Sequence, residues 1–156
     1  MKSRHTGALL ATTLMVACAR SPGQLTQPQF VAEATAICRA AGQPYAGGRP
    51  SQPLLFRDFL QAQLPAQQKG LKALEALRPP DKQQGNWLRQ VIKPEREQLA
   101  ETKAALGQLE NALRRNDQGA AFNLVQQTTS RLDERGAGIN RYWKLTGMTA
   151  CLDSPL

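Results

Sequence analysis

Two runs of residues, each stepping alternately by three and four positions, limit what this chain can fold into. The first is Leu88, Ile92, Glu95, Leu99, Thr102, Leu106, Leu109 and Leu113, and the second Phe122, Val125, Thr129, Leu132, Gly136, Ile139 and Trp143. A heptad period keeps one helix face against a partner through a left-handed twist. Asn116 and Asp117, between the runs, supply a turn and a helix cap. Two seams joined by so short a turn predict an antiparallel helix hairpin. Folding there brings Trp87 level with Trp143 and Glu95 level with Gly136. Pro94 lacks a backbone donor and is expected to bend the first of these helices.

Upstream, Thr26 and Gln29 stand where a capping box needs them, and Leu25 and Phe30 occupy the positions of a hydrophobic staple. The helix they begin carries a stripe of Phe30, Ala34, Ile37 and Ala41 with Cys38 beside it, and Gly42 suits its end. Gly and Pro recur through residues 42–53, which read as a loop. Ser51 can cap a second helix bearing Phe56, Phe59, Leu60, Leu64, Leu71, Leu74 and Leu77, which Pro65 is expected to kink or break. The LRPPD run at 77–81 stops it, and Asp81 can cap the next. Gly147 ends the last helix, and the tail carries Cys151 back towards the first. Aromatic content of 5% fits helices packed through small and straight-chain residues. The expected fold is all-α, an up-and-down bundle of about four helices with a long antiparallel hairpin and one disulfide.

The N-terminus reads as an address. MKSRHTG is polar and basic, and ALLATTLMVA at 8–17 is apolar apart from two threonines, the pattern of an export signal. Ten such residues span only about 15 Å as a helix, too short for a bilayer. LMVAC at 14–18 resembles the lipobox of bacterial lipoproteins, which implies acylation of Cys18 and cleavage before it. Met15 stands where that motif usually has Leu, Val or Ile. The competing reading is cleavage after Ala19, giving a soluble secreted or periplasmic protein. The expected organisation is a signal peptide at 1–17, a tether at 18–27 and a helical bundle domain at 28–156, anchored to the cell envelope at Cys18. With Cys18 acylated or removed, Cys38 and Cys151 remain in an oxidising compartment and are expected to pair, the alternative being two buried free thiols.

EATAICRAA at 33–41, ALRPPD at 76–81 and LTGMTAC at 145–151 together resemble a loose group of small secreted, lipoprotein-like bacterial proteins. These share an A-x-A-I-C segment near the mature start, a Leu-x-Pro-Pro break and a Gly-x-x-x-Cys ending. Thr35 stands where that group more often has Asp. The resemblance implies the Cys38–Cys151 pairing and no activity.

Reactive chemistry is sparse. The single histidine, His5, falls in the leader, so the mature chain lacks the residue most used for proton transfer near neutral pH and for zinc or haem. There is no C-x-x-C-H haem site, phosphate loop or serine elbow. Glu97 and Glu101, one turn apart, and the seam residue Glu95 are the carboxylates worth following, the first two read as solvated surface and Glu95 as a partner for an arginine such as Arg135 or for water. No catalytic residue, cofactor or metal is expected. Trp87 and Trp143 are candidates to frame a ligand recess, although aromatics at seam spacing more often fill a core.

The chain carries a net charge of +8, and without Lys2 and Arg4 the basic residues number 18 against 12 acids. That excess favours an anionic polymer or lipid headgroups only if it is focused on one face. The reading reached from sequence is a non-catalytic envelope lipoprotein that binds a partner protein or small ligand. Its contact with the membrane runs through the N-terminal lipid, with no specific nucleic acid, and heptad seams permit a homodimer. An electrostatic binder of anionic polymer or headgroups and, more remotely, a carboxylate enzyme are the alternatives.

Overall fold

The computed structural model describes residues 23–41 and 48–152. The leader, Cys18 and residues 42–47 of the 42–53 loop, Gly42 included, lie outside them. Four helices follow in order: α1 (Gln27–Ala41), α2 (Pro53–Ala76), α3 (residues 81–114) and α4 (Gln118–Thr146). A single 3₁₀ turn, Thr149–Cys151, follows α4.

The capping box forms at the start of α1. Thr26 N–H donates to Gln29 Oε1 at 2.9 Å and Gln29 N–H donates to Thr26 Oγ1 at 3.4 Å, so two amides that the helix leaves unpaired find partners. Leu25 packs on the apolar cluster that holds Phe30. Its amide also donates to Arg78 O, and Gln24 donates to Pro79 O, so the last residues of the expected tether belong to the bundle.

The start of α2 uses proline instead of the expected serine. Gln52 occupies the cap without a side-chain bond and Pro53 stands at the first helical position, where its missing N–H costs nothing. Pro65 does not break α2, which continues to Ala76. Pro65 and Gln61, whose carbonyl it leaves without a donor, are both exposed, so water can take the orphaned oxygen. Nor does Asp81 cap α3: Pro80 holds that position, and Asp81 lies in the first turn, where its charge suits the helix dipole.

Helix α3 is an α-helical segment Asp81–Trp87, one π-helical turn Leu88–Ile92 and a second α-helical segment Lys93–Arg114. Pro94 accounts for the widened turn. Its ring would crowd the carbonyl four residues back, and a π turn relieves that contact. Here Lys93 N–H donates to Leu88 O, five residues away. After α3, Asn116 adopts a positive φ of 56°, which asparagine tolerates better than most residues, and Asp117 accepts from Ala120 N–H at 3.0 Å to cap α4. Gly147, at φ 77°, closes α4 in the left-handed region.

Successive helices are antiparallel. Arg78, just beyond α2, meets Leu25, just before α1, whereas Gln61 bonds Glu110 and Glu75 bonds Arg96 across α2 and α3. Two apolar clusters result. One joins Phe30, Ala34, Cys38, Leu74, Trp87, Val91, Ile92, Ile139, Trp143, Met148 and Cys151, drawn from all four helices and the tail. The other joins Phe56, Phe59, Leu60, Ala105, Leu109, Ala112, Ala121 and Val125, from α2, α3 and α4 alone. The bundle therefore has four helices at one end and three at the other. Arg49 crosses the middle of α4 in an ion pair with Asp133.

The heptad period holds, but its phase differs from the expected one. The buried line of α3 after the π turn is Glu95, Gln98, Thr102, Ala105, Leu109 and Ala112, and that of α4 is Ala121, Val125, Thr128, Leu132, Ile139 and Trp143. Leu99, Leu106 and Leu113 flank the seam half-buried, and Leu88 and Phe122 are 50% and 48% exposed. Helix α3 packs between two neighbours, so its contact face is wider than one seam. The small and polar residues take the crowded centre while leucines close the sides.

Candidate functional site

Trp87 ends the first segment of α3 and Trp143 lies near the end of α4; the hairpin brings their ring centroids to 5.9 Å in an edge contact. Phe30 meets Trp87 edge-on at 4.9 Å, and Tyr142 touches both indoles. Each tryptophan is 2% exposed, so the rings fill the space between them rather than frame a recess. Burial also pushes the Tyr142 hydroxyl pKa up.

An open groove of about 430 Å³ lies to one side of Trp87, within the range of small-molecule sites. The rigid Leu77–Pro80 link between α2 and α3 builds one wall. Leu77 and the half-exposed Leu88 form its apolar surface over the buried Pro79, Trp87 and Ile92, and Glu75, Arg78, Asp81 and Arg96 bring charge to it. Glu75 and Arg96 neutralise one another at 2.6 Å. The exposed side chains of Arg78 and Asp81 make no ion pair among the described residues. None of these four charged residues was singled out as a ligand contact from sequence, because the groove exists only once α2, the Pro-Pro link and α3 fold together.

The carboxylates followed from sequence separate into two environments. Arg135 Nη1 donates to Glu97 Oε2 at 2.5 Å and its Nε to Glu101 Oε2 at 2.9 Å, with Arg131 3.5 Å from Glu101. These bonds raise the Arg135 pKa further. Arg135 is thus not the partner of Glu95. Glu95 is 4% exposed, and its Oε1 has no hydrogen-bond partner among the described residues. Burial pushes its pKa up to about 8, so it is chiefly neutral at pH 7. Gly136 is no socket for it: a Cβ placed there would meet no atom within 4 Å.

Glu95 begins a polar lane through the interior. Gln98 and Thr102 follow on the same face of α3, with Gln67 of α2 and Thr128 of α4 also buried. Gln67 Oε1 and Thr102 Oγ1 have no protein partner among the described residues. The signal for this lane was present as polar residues at heptad spacing, but the adjacent leucines masked it.

The tail completes the four-helix end. Cys38 and Cys151 form the expected disulfide, 113 residues apart in sequence. Cys18 lies outside the described residues. No described helix is long and apolar enough to cross a membrane, and no described cluster of three or more His, Cys, Asp or Glu could hold a metal ion.

The molecule is an all-α, up-and-down helical bundle closed by a disulfide, with a mixed-charge groove at its four-helix end. Comparison with protein-family models, curated proteins and solved structures finds no match.

Proposed function

We propose that this chain is a non-catalytic lipoprotein of the bacterial cell envelope, tethered through Cys18, whose bundle binds a small ligand. The observation that carries the binding role is the groove beside Trp87, where apolar surface and opposite charges converge within about 430 Å³. The leader and the LMVAC segment support export and anchoring, and the three short motifs support membership of the lipoprotein-like group. The carboxylates do not favour an enzyme: Glu97 and Glu101 are engaged by Arg135, and Glu95 is buried with no hydrogen-bond partner for its Oε1 among the described residues.

Native mass spectrometry of the protein extracted gently from its envelope tests this reading. The expected mass begins at Cys18, includes acyl groups and carries a small adduct lost on denaturation. A mass beginning at Arg20 overturns the anchor. An adduct-free protein that also fails to bind any member of a broad metabolite panel overturns the ligand role.

A further inference from the structure

Building on the reading of the groove as a ligand site, we infer that it takes a small zwitterion with an apolar body, such as an apolar α-amino acid or a dipeptide with free ends. The charges around the groove select this class by subtraction. Glu75 and Arg96 are committed to each other at 2.6 Å, which leaves, among the described residues that line the groove, one cation, Arg78, and one anion, Asp81, available to a ligand. A simple anion would satisfy the guanidinium but face the carboxylate, and a simple cation would do the reverse. A zwitterion meets both.

The spacing of the two Cα atoms is held by the backbone. Arg78 and Asp81 flank Pro79 and Pro80, whose rings fix φ, and Arg78 O is further tied down by the Leu25 amide at 3.1 Å. The backbone of the link therefore loses little freedom when a ligand arrives, and ordering falls on the two side chains alone. Leu77 and Leu88 give the body of the ligand an apolar surface, with the buried Pro79, Trp87 and Ile92 packed behind it. Leu88, half exposed although it stands at an expected core position, belongs to that surface. Gln84 and Gln24 add amides, the latter donating to Pro79 O at 3.4 Å.

The test is an NMR titration of the full chain, following the Trp87 indole and Arg78 guanidinium resonances. The probes are leucine, leucyl-leucine, isocaproate, isoamylamine and N-acetyl-leucinamide. Leucine or leucyl-leucine should shift both resonances saturably, and which of the two binds tighter tells a free amino acid from a peptide ligand. The singly charged and neutral probes should bind roughly three- to tenfold more weakly or not at all. Arg78→Gln and Asp81→Asn should each lower the affinity for the zwitterion by a similar factor. Both residues are exposed, and an unchanged aromatic shift pattern would show that the fold is kept. Isocaproate or isoamylamine binding as tightly as leucine would overturn the zwitterion class while leaving the groove a ligand site. No shift with any probe would overturn the inference, and the native adduct would then judge the groove reading separately.

Discussion

Cys38 on α1 and Cys151 in the tail stand 5.0 Å apart between Cα atoms and are joined by a disulfide, so the first helix and the last residues are stapled at the four-helix end. Only that end includes α1, the shortest of the four helices, and the bond holds it there. Closing a loop of this length stabilises by up to about 4.7 kcal/mol in the chain-entropy model. Replacing both cysteines with serine should lower unfolding free energy by about 2–5 kcal/mol, measured by urea denaturation. A loss below about 0.5 kcal/mol would show that α1 docks without its staple.

Glu95 should make stability depend on pH. In the unfolded chain it ionises near its ordinary value of 4.5, whereas in the fold it holds its proton to about 8. Between these values the unfolded state has released a proton that the folded state retains, so stability falls as pH rises through the window. The loss approaches about 5 kcal/mol as an upper bound at 1.36 kcal/mol per pH unit. Glu95→Gln should flatten the profile and raise the melting temperature at pH 8. Wild-type stability that stays level across this window would contradict the burial.

Thr102 has no exposed surface, and its hydroxyl has no protein partner among the described residues. Thr102→Val keeps the shape and removes the desolvated group. The variant should gain about 1 kcal/mol, read from denaturant midpoints at constant slope. A loss of similar size would mean that the hydroxyl is satisfied by bound water that valine expels.

The displaced seam can be tested with two leucine changes. Ala105 is 6% exposed at the crowded centre of α3, so Ala105→Leu should overpack it and cost about 1–3 kcal/mol. Leu88 is 50% exposed, so Leu88→Gln should shift stability by no more than about 0.5 kcal/mol. Thermal melts showing the reverse order would restore the leucine-centred seam.

Much of the fold was legible because its signals are local. The Thr26–Gln29 box, the Asn116–Asp117 turn and the Gly147 stop each depend on a few neighbouring residues satisfying backbone groups at a helix end. Where local rules offered two solutions, sequence favoured the wrong one. Ser51 and Asp81 are good caps by type, but Pro53 and Pro80 set the actual helix starts. The two tryptophans stand level as the hairpin requires, and their rings pack against each other, with Trp87 alone of the two lining the groove.

Sequence alone determined the four-helix order, the 3.5-residue period of the hairpin, its turn and the cysteines that close it. These follow from chain stereochemistry and helix-end hydrogen bonding, which act over a few residues. Tertiary structure decided the phase of the seams, the isolation of Glu95 from Arg135 and the groove that leaves Arg78 and Asp81 available. Those depend on which side chains fit between three or four helices at once, and a heptad fixes spacing along one helix without fixing its rotation against two neighbours.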